Sequence, residues 1–176
     1  MKIQEDLTKY ISSALSNNLP EKTQTKTRFH LLDAIVSILT GRLLPPGQKG
    51  FNFSKKQGGV EEATLLGNNI KVSAINAGFS NGMAAHANET DDSHTKGRFH
   101  PGCAIIPTTL AIAEKENLGS DEIIKGIALG YDIGVRFTTS LGYKTPKTSI
   151  FATHSIGPIF GSAASAGALL KLTHEQ

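Results

Sequence analysis

Ile3, Leu7, Tyr10, Ile11, Ala14 and Leu15 recur at helical spacing, so the chain opens with a predicted amphipathic helix that stops near Asn17 and Asn18. Pro20 suits the first turn of the next helix, predicted over Glu21 to Thr40. Its stretch from Leu31 to Leu39 is apolar nearly all round, the pattern of a core helix covered by neighbours, and Gly41 with Pro45-Pro46 ends it. Residues 47–59 are rich in Gly and Lys and read as loop or frayed helix. The runs Ala63 to Leu66 and Ile70 to Val72, separated by Gly67-Asn68-Asn69, predict a small hairpin. Ser73 then caps a helix of small residues, AINAGFSNGMAAHAN.

A further helix is predicted from about Ile106 to Glu116. Leu118-Gly119 closes it, and Ser120, Asp121 and Glu122 open the next. In that helix Gly126, Gly130 and Gly134 fall four apart and line one face with backbone. The last helix, Ser155 to Lys171, repeats the device with Gly157 and Gly161. Faces this small let helices approach closely, and the polar residues that interrupt both segments point to bundle packing rather than a membrane dimer. The whole reads as one mainly α domain, a helical bundle with one small hairpin. Thr173 followed three residues on by Gln176 fits a capping box, a helix start, so the expectation is a single but incomplete domain over 1–176 at the front of a longer protein.

Composition narrows the function. At 176 residues and 39% apolar, before its 18 glycines are counted, the chain is long and apolar enough to bury a core. The net charge of +3 comes from scattered positions such as Lys22, Lys26, Arg28, Lys49, Lys55 and Lys56, without a dense basic block or interleaved aromatics, which argues against nucleic acid as a partner. It is compatible with attracting small carboxylate anions. Cys103 is the single cysteine, excluding an internal disulfide and fitting a reducing compartment. The start, MKIQEDLTKY, lacks the apolar core of a signal peptide. The longest apolar run, LLDAIVSIL, is too short to span a bilayer and contains Asp33. A cytoplasmic protein without a membrane partner is expected.

Residues 86–102, HANETDDSHTKGRFHPG, concentrate three of the six histidines and three of the fifteen carboxylates in one polar window. Glu89, Asp91 and Asp92 follow a predicted helix end, where carboxylates oppose the helix dipole unless a proton, a cation or a histidine compensates. His94 and His100 set imidazoles beside those acids, a side-chain type whose protonation changes close to neutrality, so an acid and base set for proton transfer is chemically available. Pro101 holds His100 extended. His86 reads as a packing or surface residue, and Cys103 as a small buried residue rather than a nucleophile. A rival reading is a metal-dependent hydrolase built on Glu89, Asp91, Asp92, His94 and His100. Neither HExxH nor paired cysteines occur, GxGxxG is absent, and no serine stands at a strand-to-helix nucleophile elbow, the string GFSNG at 78–82 falling inside the predicted small-residue helix.

NGMAAHANETDDSH followed by HPGCAIIPTTLAIAE resembles the MmgE/PrpD family, whose members include 2-methylcitrate dehydratase, cis-aconitate decarboxylase and an iminodisuccinate epimerase. LLDAIVSILTGR, EEATLLG, GIALGYDIGVR and THSIGPIFGSAASAGALLKL carry the likeness along the rest of the chain. The resemblance implies the N-terminal part of an all-helical domain, an orthogonal bundle whose α/β lid is absent here. It also implies a cofactor-independent enzyme without a metal, usually a homodimer, acting on small di- or tricarboxylates. His100, His154, Asp91 and Asp92 correspond to catalytic positions, with Glu89 and His94 as substrate-binding neighbours; Glu89 stands where several members have Asp. The implied activity is that of a hydro-lyase of the 2-methylcitrate dehydratase kind. Family members are more than twice this long, and their second half brings lid and Lys residues, so a truncated chain that is weak or inactive alone is the expectation. The alternative is a noncatalytic helical remnant or interaction module that packs on a partner chain.

Overall fold

The computed structural model describes residues 2–141 and 153–176. Among them are seven α-helices and one two-stranded sheet, so the mainly α reading with a single hairpin holds. Helix α1 (Lys2–Ser13) runs into a 3₁₀ turn (Ala14–Ser16), and its Leu7 and Ile11, with Ala14 and Leu15, pack on Leu129, Ile133, Ala164 and Ala168. None of the helices is long and apolar enough to cross a membrane.

Helix α2 (Glu21–Gly41) buries a narrow stripe of small and polar residues, Thr27, Ala34, Ser37 and Gly41, together with Ile38. It is not covered all round, contrary to the expectation from its composition. Phe29, Leu32 and Val36 are more than half exposed, and Leu39 is 41% exposed, because α4, α5 and α6 pack on one side only. Residues 47–59 also depart from the loop reading: Pro45–Gln57 form helix α3. Pro45 and Pro46 occupy its first two positions, where a missing N–H costs nothing, so they begin this helix rather than merely end the previous one. Gly47, Gly50 and Ser54 form its buried face. A Cβ at Gly50 would lie 3.1 Å from the Met83 side chain, and Ser54 Oγ donates to the Asn76 carbonyl at 2.8 Å.

Strands β1 (Ala63–Thr64) and β2 (Lys71–Val72) pair antiparallel with Ala63 opposite Val72, around a turn in which Gly67 takes φ +78°. Helix α4 (Ala74–Ala85) is capped by Ser73, whose hydroxyl accepts from the Asn76 N–H. Buried Asn81 on α4 ties the hairpin down by donating to Thr64 O and accepting from Leu66 N–H, both at 3.0 Å. Helix α5 (Gly102–Lys115) starts directly after Pro101, four residues earlier than the pattern predicts.

Helices α6 (Ser120–Ser140) and α7 (Thr153–Leu169) touch through backbone. A Cβ at Gly130 would fall 2.5 Å from Ile105 Cγ2 and 3.0 Å from Gly161 O; one at Gly134 would fall 2.7 Å from Gly157 O. The small faces read in the sequence are this seam. Buried Thr109 and Ser165 share a 2.7 Å hydroxyl hydrogen bond that links α5 to α7. At the end of the chain the Gln176 side-chain oxygen accepts from Thr173 N–H at 2.9 Å.

Candidate functional site

Helix α4 stops at Ala85, His86 caps its C-terminus, and residues 87–101 cross irregularly to α5. The crossing holds its shape through a bridge between His94 and Phe99 and through Phe99 itself, which is buried as a plug. Asp91 and Asp92 lie midway along it, next to the start of α5.

The Asp91 side chain is wholly buried. Its Oδ1 and Oδ2 lie 3.1 and 3.3 Å from His86 Nδ1, and Oδ1 is 3.5 Å from His100 Nδ1, which also faces the Asp91 carbonyl at 3.3 Å. The His86 and His100 rings are 5.0 Å apart, and His154, in the first turn of α7, stacks on His100 at 6.2 Å with its ring tilted by 21°. Under this group the Cys103 thiol donates to His100 O at 3.2 Å. Burial, reinforced by the negative charge of Asp91, pushes that thiol up to about 12, so it stays protonated across the neutral range.

Asp92 has a separate set of partners. Oδ1 accepts from the Gly102 N–H at 2.9 Å; Oδ2 accepts from the Tyr131 hydroxyl at 2.8 Å and lies 2.8 Å from His30 Nδ1. Burial opposes its charge, but the hydrogen bonds from His30, Tyr131 and Gly102 outweigh that and hold the carboxyl below the ordinary range. Tyr131 moves the other way: burial, then the Asp92 charge, raise its hydroxyl pKa. The Asp92 N–H donates to Asp33 Oδ2 at 3.1 Å, so α2 supports the crossing with both His30 and Asp33. Outside this network a cleft of about 400 Å³ opens between α2 and α6, lined by Lys22, Lys26, His30 and Tyr131.

The structure therefore brings Asp91, His100 and His154 together, with Asp92 beside them in its own cage. Glu89 and His94 lie on the same crossing but not in either set of contacts. Glu89 is exposed at φ 52°, and His94 Nδ1 accepts the Gly97 N–H at 2.9 Å, which shapes the turn to Phe99. The metal-capable donors that converge among the described residues are His86, Asp91 and Cys103, a different set from the five read in the sequence.

Sequence reasoning missed His30, Asp33 and Tyr131 and read His86 as a packing or surface residue. A signal was present: His30 and Asp33 are three apart, hence on one face, in a helix otherwise apolar there. Tyr131 sits in the GIALGYDIGVR segment with nothing local to set it apart.

Residues 5–176 match the MmgE/PrpD N-terminal domain. The cis-aconitate decarboxylase-like protein oryM of Aspergillus oryzae (strain ATCC 42149 / RIB 40) is 25% identical over 174 residues, a match that covers 95% of this chain and 36% of that protein. The chain thus spans about a third of the length of the curated relative it matches. With its helical architecture, its paired acids and its His-Pro at the head of α5, the chain belongs to the MmgE/PrpD family and corresponds to that family's N-terminal domain.

Proposed function

We propose that this chain is the helical, proton-transferring part of a lyase that acts on small di- or tricarboxylates, a hydro-lyase of the 2-methylcitrate dehydratase kind. The observation that carries the reading is the buried Asp91 carboxylate held against His86 and His100, with His154 stacked on His100. In a dehydration, neutral His100 takes the proton from the carbon beside a carboxylate, and the C–H electrons form the double bond. The hydroxyl on the next carbon leaves with a proton given by His154 in its charged form, so the net loss is one water. Asp91 stabilises the imidazolium that develops on His100, and positioned groups of this kind contribute on the order of 10² to 10⁴ in rate.

The same pair serves decarboxylation, which the name of the Aspergillus relative favours as the second chemistry. There the bond to carbon dioxide breaks and the charged histidine delivers its proton to the carbon that keeps the electrons. Asp92, fixed by Gly102, His30 and Tyr131, positions the crossing, while Glu89 and His94 on its outer part meet the substrate. Donors for the remaining carboxylates come from a second copy or from further polypeptide packed on this domain.

The test is turnover of 2-methylcitrate and cis-aconitate, followed by formation of the unsaturated acid and by release of carbon dioxide. Loss of at least about 100-fold in His100→Ala and His154→Ala is expected; turnover that is indifferent to both would overturn the assignment. A second reading, an interaction module that works only on a partner, draws on the exposed apolar stripe of α2. Stable co-purification with a partner chain and no turnover in the complex would favour it.

A further inference from the structure

His86, Asp91 and Cys103 come from three different stretches of backbone: the C-cap of α4, the middle of the crossing, and the first turn of α5. One ligand atom from each lies within 4.8 Å of the other two. The three offer an imidazole nitrogen, a carboxylate oxygen and a sulfur, the mixed donor set that suits zinc or cobalt and disfavours magnesium and calcium.

Distances support the convergence. With metal bonds of 2.0 to 2.3 Å, donors around a tetrahedral zinc stand about 3.3 to 3.8 Å apart, so the trio needs to contract by about 1.5 Å at most. His86 Nδ1 and Asp91 Oδ1 are already at 3.1 Å. His86 is 42% exposed at its side chain, which gives an ion a way in, while Asp91 lies at the bottom. Beyond Asp91 the crossing is pinned by the Asp92 cage and then by buried Phe99, so this donor sits on a frame rather than on a free loop.

We propose that His86, Asp91 and Cys103 form a site for a divalent transition metal, zinc or cobalt, with water in the fourth position, and that metal bound there withdraws Asp91 from His100. Binding exchanges the S–H bond of Cys103 for an S–metal bond and releases the proton to solvent, with no change of oxidation state. The metal form is then incompetent in proton transfer. That consequence rests on the reading of Asp91 and His100 given above; the binding itself does not.

Cobalt reports thiolate ligation directly, through a sulfur-to-metal charge-transfer band in the near ultraviolet. The full 176-residue chain, reduced and free of chelating thiols, is titrated with cobalt(II) chloride and then challenged with zinc. The expected result is a band that saturates at one ion per chain, is bleached by zinc, vanishes in Cys103→Ser, and needs at least about 10-fold more cobalt in His86→Gln. Circular dichroism melts of the two variants establish that they remain folded; Cys103→Ser is near-isosteric and His86 sits at a half-exposed cap. No band, a band that survives Cys103→Ser, or equal affinity in His86→Gln would each overturn the site. Because the readout is absorption, its failure and a failure of the lyase assignment are separate results.

Discussion

Asp91 and Asp92, neighbours in the chain, take their side-chain hydrogen bonds from entirely different groups: Asp91 faces His86 and His100, whereas Asp92 is held by Tyr131, His30 and the Gly102 N–H. One carboxylate sits among histidines and the other anchors three elements at a single point. Substitutions at the two positions should therefore behave differently.

Asp92→Asn is expected to cost about 1 to 3 kcal/mol of stability at neutral pH, the range for losing hydrogen bonds to a charged group. The folded carboxyl titrates below the unfolded value of about 3.9, so the folded state binds fewer protons in that window. The charge stabilises fully above the unfolded value, and the benefit drains away as pH falls through the lower folded value. Urea midpoints for wild type and variant should differ at pH 7 and converge in acid; a gap independent of pH would contradict the role given to the charge.

Cys103 should be slow to react with a disulfide reagent at about pH 8, by at least about 10-fold relative to the same chain in denaturant, since the thiolate is the reactive form. Its folded pKa of about 12 lies above the unfolded one, so the folded state holds the extra proton. The corresponding stability is complete below about pH 8.5 and is lost as pH climbs toward the folded value. Alkaline unfolding that begins earlier in wild type than in Cys103→Ser would display this sign.

Two helix glycines should respond to alanine in opposite directions. At Gly130 the new methyl meets Ile105 at 2.5 Å and the Gly161 carbonyl at 3.0 Å, so overpacking of about 1 to 3 kcal/mol exceeds the gain in helix propensity of about 1 kcal/mol. At Gly78 the nearest atom is 3.9 Å away, and the propensity gain should appear nearly whole. Thermal melts of Gly130→Ala and Gly78→Ala that shift the same way would refute this picture of the seam.

Phe29, Leu32, Val36 and Leu39 follow helical spacing along the exposed side of α2. A stripe of this size should bind a hydrophobic dye or drive self-association. Leu32→Glu combined with Val36→Glu should lower both signals several-fold in fluorescence titration and sedimentation, while the melt stays cooperative because neither side chain is buried.

Much of the fold was legible because helical periodicity and caps are local signals; Ser73 and the four-spaced glycines of α6 needed no tertiary knowledge. Helix α3 was not, since its buried face is made of Gly47, Gly50 and Ser54, residues whose composition imitates a loop. The bare side of α2 was hidden for a different reason: apolar pattern shows what a helix can bury, not whether something covers it. At the site, the window from His86 to His100 announced its titratable groups through density alone. The cage around Asp92 did not, because Tyr131 lies 39 residues away in sequence and meets Asp92 only through the packing of α5 and α6.

The approach of Gly130 to Gly161 and of Gly134 to Gly157 also fixes something about length. The two glycine rows run in opposite directions and meet in steps of four, so one residue inserted into either helix would rotate everything beyond it by about 100° and bring side chains into a gap only backbone fits. An insertion or deletion within α6 or α7 would therefore break the seam. These two helices act as a gauge, and the distance along the chain from Tyr131 to the seam, and from the seam back to His154, is a dimension that the fold cannot let drift.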